Sequence, residues 1–139
     1  MSGVAVIRYL LANAAAVTAV VPATRIMAGD LPLGTSMPAI AVTQVDSIPH
    51  NLIRISDSPK VHVDRVQVTV YRGASPGDAG YPGLKSLLAL VLAACASTHG
   101  SVNGIAVDGI TPDLEGPDLP ISEEKIFTRS RDFFVRWSA

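Results

Sequence analysis

The sequence predicts an α+β fold: a mostly antiparallel β-sheet with two α-helices packed on one face, and a long hairpin loop. Three observations carry that expectation. Leu84, Leu87, Leu88, Val91, Leu92 and Cys95 follow one another at helical spacing along a single face. Val61 to Arg72 alternates β-branched and polar side chains in the manner of a half-buried strand. Asn103-Gly104, set between Val102 and Ile105, is the dipeptide favoured in tight hairpins because both positions tolerate positive φ.

The elements follow in order. Val4, Ile7, Leu10, Leu11 and Ala14 give an amphipathic helix over residues 3–13, and residues 14–21 give a second short helix stopped by Pro22. Arg25 to Ala28 reads as a short strand, Gly29-Asp30 as a turn, and Ala39 to Val45 as an apolar strand opened by Pro38. Ser47 to Lys60, with Pro49, Pro59 and several turn formers, reads as a long loop or protruding hairpin. In the next strand Val61 and Val63 have one parity and Val66, Val68 and Val70 the other. A β-bulge at Asp64-Arg65 would return all five to one face. Residues 73–83 read as a Pro- and Gly-rich linker, and Gly100 as the cap of the long helix that follows. Ile105 to Ile110 is a strand, Thr111 to Glu124 a Pro- and acid-rich loop, and Lys125 to Trp137 the closing strand. Arg129 and Arg131 share the parity of Phe127, Phe133, Val135 and Trp137, so one face of that strand is not uniformly apolar. The chain shows no internal repeat, and a single domain over residues 1–139 is expected.

Composition narrows the function. Charged residues make up 17 % and hydrophobic residues 48 % of the chain, whereas ordinary domains carry ~25 % charge. A small domain exposes much of its area, so this shortage of charge points to surface covered by other subunits. The net charge of −1 and the scattered Lys and Arg lack the basic footprint of a nucleic-acid binder or a membrane-surface segment. The apolar runs 9–24 and 84–96 are too interrupted or too short to span a bilayer, and the faint signal-peptide look of Arg8, Leu10 and Leu11 is read as a helix of a soluble protein. A lone cysteine permits no internal disulfide.

No grouping of residues assembles catalysis. His50, His62 and His99 lack metal-ligand spacing, although His62 and Asp64 share a strand face. Cys95 lies on the apolar face of its helix with no cationic neighbour to activate it. The stretch from Gly73 to Gly80 lacks the Gly-Lys-Ser/Thr ending of a phosphate loop, and no serine sits in a nucleophile elbow. Neither a catalytic, a cofactor nor a metal site is expected. The acidic run stands out more. Asp113, Glu115, Asp118, Glu123 and Glu124 form either a solvated loop or a negative patch facing a partner or a channel.

Several weak motifs occur in a characteristic order over nearly the whole chain. They are Arg25-Ile26, Leu31-Pro32, Pro38-Ala39-Ile40-Ala41-Val42, Arg65-Val66-Gln67-Val68-Thr69-Val70-Tyr71, and the closing Arg129-Ser130-Arg131-Asp132-Phe133-Phe134-Val135-Arg136-Trp137. In this order the chain resembles the phage tail-completion, or tail-terminator, family. It departs from the family pattern in its Pro- and Gly-rich approach to the second long helix and in its acidic loop. The resemblance implies a non-enzymatic virion protein, assembled in the host cytoplasm. It implies a ring of usually six copies on the head-proximal end of the tail tube, which ends tube growth and joins the tail to the head connector. The implied partners are other copies of the chain, the tail tube protein and a head-side connector or stopper protein. DNA would pass through the channel without sequence-specific binding, and no cofactor or membrane is involved.

Within that frame the segment from Asp46 to Lys60 is the best candidate for a contact with a neighbour or with the tube; the alternative is that its apolar side chains fold back on their own domain. Ile48, Leu52, Ile53 and Arg54 are its candidate interface residues, because its apolar side chains would otherwise stand in water. Two other readings fit the sequence. One is a head-completion or stopper protein of the same neck region. The other is a small cytosolic enzyme or ligand-binding domain, for which the sequence supplies no convergent polar cluster.

Overall fold

The computed structural model describes residues 2–32, 34–50, 61–73, 80–116, 119–121 and 126–138. The helices are α1 (Ser2–Ala12), the one-turn α2 (Ala15–Thr18) and α3 (Gly80–Cys95), with a 3-10 turn at Ala23–Arg25. The strands are β1 (Ile26–Ala28), β2 (Ala39–His50), β3 (Val61–Gly73), β4 (Gly100–Val102), β5 (Ile105–Glu115), β6 (Leu119–Ile121) and β7 (Ile126–Ser138). The strands form one sheet in the order β1-β2-β3-β7-β5-β4, with β6 paired to β7 on the same side as β5. Every pairing is antiparallel except β1 with β2. The fold is thus α+β, as the sequence predicts.

All three helices lie on one face, and the periodicity of the chain explains how. Val4, Ile7 and Leu11 of α1 and Leu84, Leu87, Leu88, Val91 and Cys95 of α3 point inward. They meet Val66, Val68 and Val70 of β3, Phe133 and Val135 of β7, and Ile40 and Val42 of β2 in one core. Burying each such aliphatic side chain stabilises the fold by roughly 1.5–3 kcal/mol before conformational entropy is subtracted.

The valine alternation resolves differently from the bulge expected at Asp64-Arg65. Strand β3 keeps an unbroken register with β7, from Val61↔Ser138 to Gly73↔Ile126. Val61 and Val63 therefore do face away from the helices, and Asp64 is buried on the helix side. The register shift sits in β2 instead, where Gln44 pairs with Val66 and Asp46 with Arg65, leaving Val45 as the extra residue.

Four further expectations change. The expected loop from Ser47 is strand as far as His50, paired to β3, and the rest of it lies outside the described residues. The acidic segment is strand through Glu115, with a second short strand at Leu119–Ile121. Helix α3 starts at Gly80, with Pro82 in the first turn, where a missing N–H costs no helical hydrogen bond. Its end is set by Ser97, which has φ 63 and donates its N–H to the Ile110 carbonyl at 3.1 Å, while Gly100 opens β4. The Asn103-Gly104 hairpin forms as expected, with both residues at positive φ.

Candidate assembly surface

The far end of β2 is the most apolar exposed part of the described chain. The bulge lifts Val45 out of the alternation, leaving it 52 % exposed, and Ile48 is 55 % exposed on the helix-free face. Ile48 pairs with the half-buried Val63, so the two form an apolar tip on that face. Of the expected interface residues, Ile48 is exposed on the helix-free face, and Leu52, Ile53 and Arg54 lie outside the described residues.

The acidic candidates divide in the same way. Asp118, Glu123 and Glu124 lie outside the described residues. Asp113 is 3.2 Å from the Arg65 guanidinium, which also holds the buried Asp132 at 2.8 Å and lies over the Phe134 ring. Hydrogen bonding to Asp132 raises the pKa of Arg65 above its ordinary value. Glu115 is 3.2 Å from Arg129 and 3.7 Å from Arg131. These two arginines share the helix-side face with Val70 and Val68, their partners in β3. Asp113 and Glu115 are therefore ion-paired, and the field they present outward is partly cancelled.

The sequence did not reveal the polar cluster around Asp64. This carboxylate is buried and accepts three hydrogen bonds: from the Gly3 N–H at 3.0 Å, from Trp137 Nε1 at 2.8 Å, and from Ser47 Oγ. The Gly3 bond satisfies a donor in the first turn of α1, where the helix dipole also favours a negative charge. His62 stacks on the Trp137 ring with centroids 4.4 Å apart. The shared parity of His62 and Asp64 was the one trace of this cluster in the sequence. With its oxygens occupied by donors from α1, β2 and β7, Asp64 ties these elements together.

Among the described residues no group of three or more His, Cys, Asp or Glu is arranged to hold a metal ion. Burial pushes the Cys95 thiol up to about 12, which leaves it protonated and unreactive near neutral pH. No described helix is long and apolar enough to cross a membrane.

No protein-family model and no curated protein matches the chain. Solved structures do. One is a chain of the virion of a native gene transfer agent particle, matched with a TM-score of 0.69 at 15 % identity, over 98 % of this chain and 94 % of that one. A second, which carries no functional description, matches with a TM-score of 0.55 at 13 % identity, over 97 % of this chain and 95 % of that one. Nearly end to end, then, the chain has the fold of a protein found in a gene transfer agent virion.

Proposed function

We propose that this chain is a structural virion protein of the tail-terminator kind. Copies of it form a ring, of six in the family it resembles, that caps the head-proximal end of a tail tube and presents its other side to the head connector. The observation that carries the reading is the fold likeness to a gene transfer agent virion chain, which takes in almost the whole of both chains. The order of motifs from Arg25-Ile26 to Trp137 supports the narrower role.

The physical basis is asymmetry. A tube grows because each layer offers the next a complementary face, a contact that does not close along the axis. A terminator matches that face on one side and fails to reproduce it on the other. Around the ring the contacts close, and the exposed Ile48 beside Val45 supplies apolar area for them, together with Leu52, Ile53 and Arg54. Asp118, Glu123 and Glu124, with the partly neutralised Asp113 and Glu115, form the negative patch that faces a partner or the channel.

The test is mass by light scattering on the purified protein, alone and mixed with tail tubes. A ring-sized mass, alone or on tubes, supports the reading, with six protomers as the expected size. A strict monomer that never binds tubes overturns it. Copurification with heads and not tails would move the chain to the head-completion role.

A further inference from the structure

We infer that, among the described residues, the sheet is closed to strand addition along both of its edges, so that copies of this chain and other partners meet it through side chains and not by continuing its ladder. The statement about copies rests on the assembly reading above; the closure of the edges stands apart from it.

Within a strand, the N–H and C=O of one residue point to the same side, and successive residues alternate sides. On the first edge, the Gly29 N–H donates to the Val42 carbonyl at 2.8 Å, so Val42 and Gln44 turn toward the β1 side of β2. The one-residue shift at Val45 then puts Asp46, Ile48 and His50 in bonding register with β3, leaving Ser47 and Pro49 facing outward. Proline has no N–H, so Pro49 offers an incoming strand no donor. The bulge breaks the even spacing that an added strand needs. Beside this, β1 is only three residues long, and the outward carbonyl of Ile26 already accepts from Arg8 Nε at 3.0 Å.

The other edge is blocked by the same means. The Gly116 N–H donates to the Ser130 carbonyl at 2.8 Å, so the even-numbered residues of β7 face β5. Thr111 pairs with Phe134 and therefore faces β7, which turns Ile110 and Pro112 outward. The Ile110 carbonyl is taken by the Ser97 N–H, and Pro112 again has no donor. The remaining described strands on this edge, β4 and β6, have three residues each. Two prolines, two capped carbonyls and a bulge thus fall at outward positions on two different edges. Unprotected edges template pairing with any extended chain, and these are the features that prevent it.

The experiment restores the missing donors with Pro49→Val and Pro112→Thr, singly and together. Circular dichroism checks folding, light scattering reads mass, and infrared spectroscopy reads intermolecular strand pairing. The double variant is expected to show a severalfold, concentration-dependent rise in mass over the wild-type protein, with an intermolecular strand band. Each single variant should show a smaller rise, which keeps the test open if the double variant fails to fold. Folded variants that keep the wild-type mass at every concentration overturn the inference and leave the ring reading untouched. Edge-opened variants that associate while the wild-type chain stays monomeric even with tubes sink the ring reading and uphold the closed edges.

Discussion

Trp137 donates its indole N–H to Asp64 across 2.8 Å, and on its other side its ring lies flat against His62. The bond joins β7 to β3 at the end of the sheet where α1 begins, and the same carboxylate holds the Gly3 N–H. A buried carboxylate is costly unless its lone pairs are filled, so this one stabilises the fold only as a complete set.

Asp64→Ala is therefore expected to destabilise the protein by about 2–4 kcal/mol, because it strands the buried Gly3 N–H and the part-buried Trp137 indole N–H at once. Urea unfolding followed by Trp137 fluorescence measures the loss. The native emission should also shift, since the indole loses its partner. A change below about 0.5 kcal/mol would show that the cluster contributes nothing net.

Gly3→Ala tests the same junction sterically. A Cβ on Gly3 would lie 2.6 Å from Asp64 Oδ2 and 2.7 Å from Asp64 Cβ, too close for either atom. Relief requires α1 to move off the sheet, so a loss of about 1–3 kcal/mol is expected. Combined with Asp64→Ala, the two effects should be partly non-additive, because truncation removes the Oδ2 contact while the Cβ of residue 64 stays 2.7 Å from the added methyl group.

Stability should fall in alkali. The Cys95 thiol has its pKa raised by burial from 9.0 to about 12, and Tyr71 is raised from 10.0 by burial and then by the charge of Asp30. In both, the neutral form is favoured in the folded state. Above the unfolded pKa the unfolded chain therefore holds fewer protons, and stability drops as pH rises. For Cys95 the window runs from 9.0 to about 12. Cys95→Ala should flatten part of the slope of unfolding free energy over that window. An unchanged slope would mean the thiol does not contribute. A thiol reagent at neutral pH should label Cys95 only on unfolding.

Ile48→Asp separates assembly from folding. The side chain is more than half exposed, so stability should change by no more than about 0.5 kcal/mol. If the tip of β2 carries the contact between copies, assembly on tubes should be lost. Normal capping by the variant would remove Ile48 from the interface.

How much of this could be read in advance depended on how far apart the interacting residues lie in the chain. The periodicity of α3, the Asn103-Gly104 turn and the aromatic parity of β7 are local signals, and each element formed, with α3 reaching back to Gly80 into the segment that reads as a linker. The phase change at Asp64 was also a true signal with a misread cause. The chain buries a carboxylate there and places the bulge in the neighbouring strand, because the three donors come from Gly3, Ser47 and Trp137, none of them a sequence neighbour. Pro49 and Pro112 made strand residues look like loop, since their tolerance depends on standing at a sheet edge, which only the topology defines. In the candidate surface, the apolar character of Ile48 was legible. The pairing of Asp113 with Arg65 and of Glu115 with Arg129 and Arg131 was not, for the same reason of distance.

The pairing of β3 with β7 also sets the order of events during synthesis. At ~5–20 residues per second, α1, β2 and β3 leave the ribosome seconds before β7 does. Until then the nascent β2–β3 hairpin has one of its long edges bare, and α1 lacks the finished cluster that anchors its first turn. A sheet whose central pair joins such distant segments has high contact order and forms slowly. The prolines and bulge that guard the finished edges do nothing for the inner edge of β3, which makes the half-made chain, and not the mature one, the species most in need of a chaperone.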